Sequence, residues 1–240
     1  MEIDGLLING DNAFETYGAI MGDDFINQLD TPAPLKDFIS FDSRVSDGSE
    51  YLIKDTSGNP YARVKERELT LKFRIFGVDS GTLAQRQTSL YTRKYNFNSL
   101  LKSSLIAINV PALNTDTYYL LYTGQSISYD LSTDRTTCMI GAKFVEPNPT
   151  QHFPFVKCTT AAATAGKTAT SYGSTVLLTS GQKIRALFTN SNSAENPTLQ
   201  VNSLTAKSIL NKNGSWTSAD NWIAGSMLDL TYNGTGWKLS

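Results

Sequence analysis

Histidine and cysteine, from which many catalytic and metal sites are built, are scarce in this sequence. Its 240 residues include one histidine, His152, and two cysteines, Cys138 and Cys158. A multi-histidine zinc site is excluded, and a histidine-based triad is disfavoured because His152 lies in a proline-rich stretch. The cysteines lack a CxxC spacing, so we predict buried, unpaired thiols rather than a disulfide or metal ligands.

An excess of charge and a long apolar run are also missing. The 21 Lys and Arg residues nearly balance the 22 Asp and Glu residues, and the two signs are interspersed. We expect no nucleic-acid partner, because binding through counterion release needs a basic surface. No window approaches the roughly 20 apolar residues of a membrane span, and the amino terminus has no signal-peptide pattern. We therefore expect a chain made in the cytoplasm, without a signal peptide or membrane insertion.

The residues that are present do not support two further catalytic patterns. The segment AAATAGKT at 161–168 is close to a phosphate-binding loop, but Ala161 replaces the first glycine and no helical period follows. Paired carboxylates such as Asp42 and Glu146 could hydrolyse a glycan, yet nothing in the sequence brings two of them together. We expect no enzymatic activity, no cofactor and no metal.

The first half of the chain, residues 1–150, has the alternation of a mainly β domain. In ELTLKFRIF, residues 68–76, every second residue is apolar, which predicts a half-buried strand. Asp47-Gly48 lies between two β-prone runs and predicts a hairpin, whereas TPAP at 31–34 predicts a loop. Apolar residues at helical spacing within 82–104 predict one or two short helices.

The second half, residues 158–240, follows a proline-rich linker that we place at 151–157. Short β-prone runs such as KIRALFT, PTLQV and MLDLTY alternate with turn signals that include Asn213-Gly214 and Asn233-Gly234. Regular short strands without helices predict a small β-sandwich. The fold class is therefore mainly β, with two domains.

Five segments of the first half are familiar as a set: MEIDGLLINGDNAFETYG, KERELTLKFRIFG, LAQRQTSLYTRKYNFNSLL, YYLLYTGQSISYD and GAKFVEPNP. Together they resemble the distal tail protein family of long-tailed bacteriophages, in the compact form found in prophage tail operons. The resemblance covers residues 1–150. It implies a non-catalytic, β-barrel-like sandwich with one helix, which assembles head-to-tail into a six-membered ring where the tail tube meets the baseplate.

Three segments of the second half, CTTAAATAGKTAT, GQKIRALFTNSNSAENPTLQVNSLTAKSI and YNGTGWKLS, carry a second resemblance. They resemble a small β module at the carboxyl ends of phage tail fibre and baseplate proteins. The implied role is attachment to host surface glycans. One departure is LTAK at 204–207, where the pattern often has glycines.

The composition of this module suits a neutral glycan. Of the 83 residues in 158–240, 34 are Ser, Thr, Asn or Gln and only nine are charged. Sugars are bound by amides, hydroxyls and flat aromatic rings, and gain little from fixed charge. The candidate ligand-binding residues are Asn190, Asn192, Trp216, Trp222 and Tyr232, with Asn196, Asn202 and Trp237 as further polar and aromatic groups. The alternative is structural, with Asn and Ser as turn formers and Trp237 in the core.

These observations predict a structural protein of a phage or prophage tail tip, a distal tail or baseplate hub located in the virion. Its expected partners are other copies of itself in a six-membered ring, together with other tail and baseplate proteins and host surface glycans. Two alternatives stay open. One is a tail tube subunit with a decorating domain, and the other is a free carbohydrate-binding or adhesin protein.

Overall fold

The computed structural model describes residues 5–35, 64–102, 105–114, 116–123, 128–150, 152–216 and 220–240. The first set of strands is β1 Leu7–Ile8, β2 Asp11–Asn12, β3 Ala19–Met21, β4 Arg67–Phe76, β5 Ile106–Asn109, β6 Thr117–Tyr122, β7 Ser128–Leu131 and β8 Thr137–Glu146. The helices are α1 Ala13–Tyr17, α2 Phe25–Asp30 and α3 Leu83–Leu101. The remaining strands are β9 Phe155–Cys158, β10 Gly166–Tyr172, β11 Lys183–Phe188, β12 Thr198–Val201, β13 Lys207–Leu210, β14 Ser226–Tyr232 and β15 Trp237–Leu239. The mainly β class is confirmed.

The first eight strands form one sheet in the order β2-β1-β5-β6-β8-β4-β3, with β7 also paired to β8. Its centre is the antiparallel pair β4 and β8, which runs from Arg67 opposite Glu146 to Phe76 opposite Thr137. The predicted alternation of β4 is confirmed, because every second residue of this strand is buried. The buried side chains are Leu69, Leu71, Phe73 and Ile75.

A single long helix, α3, covers the buried face of this sheet, where one or two short helices were predicted. Thr82 begins it with a capping box, since its side chain accepts from the Gln85 amide while the Gln85 side chain accepts from the Thr82 amide. Phe97 packs on Phe73 with ring centroids 4.9 Å apart. Because Phe73 also contacts Phe25 of α2, both helices lie on the same face of the sheet.

The other local predictions of the first half have mixed outcomes. The TPAP segment at 31–34 is a loop, as predicted. The short helices α1 and α2 were not predicted, although Asn12 caps α1 with its side-chain oxygen. The predicted hairpin at Asp47-Gly48 lies outside the described residues.

The second set of strands closes into a barrel in the order β10-β12-β13-β15-β14-β11-β9, rather than stacking as two open sheets. Closure uses parallel pairs between β9 and β11, β10 and β12, and β13 and β15. Such pairs join strands that are distant in sequence, so turn signals could not predict them. Strand β9 begins at Phe155, so it includes the last residues of the stretch predicted as linker at 151–157.

Several residue-level predictions for the barrel are confirmed. Asn233 and Gly234 lie in the turn between β14 and β15, as predicted, with Gly234 at a φ of 96° and the Asn233 side chain accepting from the Gly236 amide. The turn spans the four residues 233–236, whereas Asn-Gly alone predicts a two-residue turn. Trp237 is a core residue with 1% exposure. Cys138 of the first sheet and Cys158 of the barrel are both buried and free.

Candidate binding surfaces and the junction between the two sheets

Four of the five residues predicted to bind a glycan lie together at one end of the barrel. Trp222 packs against Trp216 with ring centroids 5.4 Å apart, and its indole nitrogen donates to the Asn190 carbonyl at 3.0 Å. The Asn192 amide donates to the Trp222 carbonyl at 3.0 Å. Tyr232 lies elsewhere, where its hydroxyl donates to the Gly234 carbonyl and its ring packs on Trp237.

The side-chain amides in this group are largely bonded within the protein. The Asn192 Nδ2 donates to the Asn221 Oδ1 at 2.6 Å and to the Ala194 carbonyl at 2.9 Å. The Asn190 Nδ2 donates to the carbonyls of Thr159 and Thr160. These bonds tie three loops together, which is the structural role that the alternative interpretation gives to asparagine.

The two other asparagines of the polar set also serve the backbone. Asn196 and Asn202 have positive φ angles of 48° and 50°, a conformation that Asn tolerates better than most residues. The Asn202 Oδ1 accepts from the Ser171 amide at 2.9 Å. Both residues therefore act as turn formers.

Burial decides which parts of the predicted site a ligand could reach. Trp222 is 6% exposed, Asn192 5% and Tyr232 4%. Asn190 is exposed and Trp216 is half-buried. A glycan at this end of the barrel would therefore contact Asn190 and Trp216, with Trp222 as support beneath them, and the assignment stays a prediction.

Lys167 is the buried cation behind this group. Its ammonium donates to the carbonyls of Ala161 and Ala162, both at 3.0 Å, and lies 5.7 Å from the Trp222 ring centroid. Burial lowers the pKa of this amine. The segment at 161–168 that approximates a phosphate-binding loop therefore includes the start of strand β10. Its lysine, Lys167, anchors the loop before that strand instead of facing a phosphate.

The end of the first sheet nearest the barrel contains a compact ionic group, which we call the His152 cluster: Arg67, Asp116, Glu146 and His152. Glu146 is 1% exposed, and its Oε2 accepts from the Arg67 Nε at 2.9 Å and Nη2 at 2.6 Å. The His152 Nε2 lies 2.9 Å from the other Glu146 oxygen, and its Nδ1 lies 3.4 Å from an Asp116 oxygen. The bond to Glu146 is the main cause that raises the pKa of His152.

Tyr119 joins the first sheet to the barrel. Its hydroxyl donates to the Phe153 carbonyl at 2.7 Å, and the Arg185 guanidinium lies 4.3 Å from its ring centroid. Arg185 in turn forms two bonds to Asp229, at 2.6 and 2.8 Å. Burial raises the pKa of the Tyr119 hydroxyl. A small apolar cluster of Ala107, Tyr119 and Phe155 closes this junction.

A second ionic contact crosses the same junction. Lys157 of β9 donates to an Asp11 oxygen at 2.5 Å. Gly10 is so close to Tyr172 of β10 that a Cβ there would lie 2.7 Å from its ring. No sequence pattern predicts these pairs, since each joins residues more than 140 positions apart.

An exposed aromatic surface lies on the outside of α3 and β7. We call it the tyrosine patch: Tyr91, Lys94, Tyr95, Tyr129 and Leu131. Tyr95 is 72% exposed, and Tyr91 and Tyr129 are 43% and 45% exposed. The Lys94 ammonium lies 5.0 Å from the Tyr91 ring centroid and 4.9 Å from that of Tyr129. The Tyr129 hydroxyl also accepts from Asn98 at 2.9 Å, which fixes its ring.

The groups considered for catalysis are not assembled among the described residues. Within this part of the chain no three His, Cys, Asp or Glu side chains are placed to hold a metal ion. Glu146 is occupied by Arg67 and His152, and Asp42 lies outside the described residues. In the described ranges, no helix has the length and apolarity needed to span a bilayer.

Comparison with known proteins adds little to this description. No known protein family matches the sequence, and no curated protein matches it. The crystal structure of the Dit protein of phage SPP1, described as a paradigm of the hub adsorption apparatus in phages that infect Gram-positive bacteria, is similar at 16% identity. The match covers 98% of this chain and 77% of that one with a TM-score of 0.33. Because the TM-score is this low, the match carries no argument about function. Conclusions about function rest on the residues of this chain.

Proposed function

We propose that this protein is a structural subunit of a phage tail tip, a distal tail or baseplate hub located in the virion. The single observation that carries the proposal is the tyrosine patch, which has the composition of a protein-binding surface. The resemblance of residues 1–150 to distal tail proteins supports the same role. The function is assembly, and no catalytic step is part of it.

The tyrosine patch has the properties of an interface centre. Tyr91, Lys94, Tyr95 and Asn98 follow the i, i+3, i+4, i+7 spacing and so share one face of α3. Tyrosine is enriched at protein interfaces, where it supplies a large contact area with few rotatable bonds. The patch stands on an anchored helix, because Leu90, Phe97 and Leu101 of α3 are buried. Little conformational entropy would therefore be lost on binding.

A head-to-tail ring needs a second, different surface that complements the first. Helix α3 contains basic residues and no acidic ones, whereas the stretch DDFINQLD at 23–30 contains three aspartates and no base. Asp23, Asp24 and Asp30 are exposed, and Ile26 is 39% exposed between them. We propose that this acidic surface faces Lys94 of the tyrosine patch on the next copy in a six-membered ring.

The barrel is proposed as the attachment module of that ring, with host surface glycans as its ligand. Asn190 and Trp216 are its accessible groups at the predicted site. Six weak sites on one ring convert later contacts into intramolecular ones, which can raise avidity by about 10² to 10⁴. A weak single site would therefore suffice.

Light scattering and negative-stain electron microscopy of the purified chain test the assembly. We expect closed rings for the natural sequence and monomers for the double variant Tyr91→Ala, Tyr95→Ala, with unchanged circular dichroism. Ile223→Ala is the matched control, since Ile223 is 77% exposed and lies outside the patch. A natural chain that stays monomeric at high concentration contradicts the proposal and favours the adhesin alternative. Long stacked tubes favour a tail tube subunit.

A further inference from the structure

We propose that the segment between the two sheets is held by a pH-dependent latch, in which a doubly protonated His152 bridges the carboxylates of Glu146 and Asp116. The segment runs from the end of β8 at Glu146 to the start of β9 at Phe155. The latch is a property of the single chain and is independent of ring assembly.

The geometry around the imidazole favours its doubly protonated form. Both ring nitrogens face carboxylate oxygens, at 2.9 Å for Nε2 and 3.4 Å for Nδ1. A neutral imidazole has one donor nitrogen and one acceptor nitrogen, and the acceptor would then oppose the lone pairs of a carboxylate. Only the imidazolium donates from both nitrogens, so this arrangement fits the charged form.

The charges of the His152 cluster balance in that form. Arg67 and His152 carry two positive charges against the two negative charges of Glu146 and Asp116. Arg67 and Glu146 are 5% and 1% exposed, so an unbalanced charge here would be costly. The ring of Tyr118 closes the cluster, 4.9 Å from the His152 ring and 5.7 Å from the Arg67 guanidinium. Neutralising His152 would leave one excess negative charge beside a buried carboxylate.

The latch strengthens at low pH and weakens at high pH. The pKa of His152 is raised above its ordinary value of 6.5, chiefly by the bond to Glu146. A raised pKa in the folded state means that the stabilisation is complete below about pH 6.5, the unfolded value. It is lost as the pH rises through the folded pKa. Tyr119 and Arg185 do not change charge in this pH range, so their contacts keep the barrel docked on the first sheet while the segment loosens.

Because His152 is the only histidine, the latch can be followed without interference. The full chain, labelled with ¹⁵N histidine, is titrated by NMR from pH 5 to 10. We expect one titration with a midpoint above 6.5, and a predominantly doubly protonated ring at pH 6.5. Asp116→Asn removes one carboxylate that is 44% exposed, so the fold should survive and the midpoint should fall towards 6.5. Glu195→Gln, an exposed carboxylate of the barrel, is the control and should leave the midpoint unchanged.

A stability measurement gives a second readout of the same proposal. The difference in unfolding free energy between the natural chain and His152→Gln should shrink as the pH rises through the NMR midpoint. A midpoint at or below 6.5 in the natural chain overturns the latch. So does a predominantly neutral ring at pH 6.5, or a stability difference that does not change with pH.

Discussion

At the residue scale, the two tryptophans of the predicted glycan site have different surroundings. Trp222 is packed between Phe188 and Trp216, with a ring centroid 4.2 Å from that of Phe188, and Lys167 lies against it. Trp216 is half-buried and makes one weak side-chain bond, at 3.4 Å to Asn221. A binding role and a core role can therefore be separated by substituting each in turn.

We predict that Trp222→Ala lowers the free energy of unfolding by about 3–5 kcal/mol, because it opens a cavity in the barrel core. Trp216→Ala should cost clearly less, since part of its surface is already in water. Urea unfolding monitored by circular dichroism measures both. Equal losses for the two variants would contradict this difference in role.

Trp216→Ala is also the informative variant for ligand binding. If the barrel binds host glycans at this end, the folded variant should lose cell binding while Leu177→Ala, an exposed apolar residue of the barrel, keeps it. Unchanged binding by folded Trp216→Ala would show that no glycan site lies at this end of the barrel. Trp222→Ala cannot serve here, because loss of fold and loss of binding would coincide.

At the scale of the element, α3 combines a capped first turn with an exposed aromatic outer face. The capping box at Thr82 and Gln85 satisfies backbone amides that a helix leaves free at its first turn. The helix needs this fixed start, because the tyrosine patch depends on its position against the sheet. Arg93 also holds it in place by donating to the carbonyls of Phe76 and Gly77.

We predict that Thr82→Ala destabilises the protein by about 1 kcal/mol, the usual cost of a lost N-cap. Thr88→Ala is the matched control, as an exposed threonine inside the same helix, and should be neutral or slightly stabilising. Thermal unfolding of both variants beside the natural chain makes the comparison. A loss for Thr88→Ala as large as for Thr82→Ala would show that capping is not the cause.

At the scale of the whole molecule, the barrel is docked on the first sheet and not merely tethered to it. The Tyr119 hydroxyl, the stacked Arg185 and the ion pair of Lys157 with Asp11 all cross the junction. Phe155 is 1% exposed between them. In the proposed ring, these contacts would hold the barrel, the proposed attachment module, at a fixed angle to the first sheet.

We predict that the natural chain unfolds in a single calorimetric transition, because the junction couples the two sheets. Tyr119→Ala should split it into two transitions by removing the ring, the hydroxyl bond and the stacking partner of Arg185 together. Tyr119→Phe removes only the hydroxyl bond and should keep one transition. Tyr129→Ala controls for the loss of a tyrosine outside the junction, and two transitions in the natural chain would refute the coupling.

Local structure was largely predictable from the sequence. The strand at 68–76, the loop at 31–34, the turn at Asn233-Gly234 and the core position of Trp237 follow from alternation or turn chemistry over a few residues. The helix was predicted in place, but its continuity was not, because packing of Phe97 and Leu101 on the sheet extends it past the polar residues between them. Helices α1 and α2 are too short for a periodic signal.

The sequence by itself determined the mainly β class, the burial of the cysteines and the absence of a multi-histidine site, since composition and short-range spacing suffice for these. The tertiary structure decided the rest. It closed the second half into a barrel, buried Lys167 against Trp222, and brought His152 between Asp116 and Glu146. Each of these depends on strand pairs between distant segments, and a linear pattern does not specify which distant segments meet.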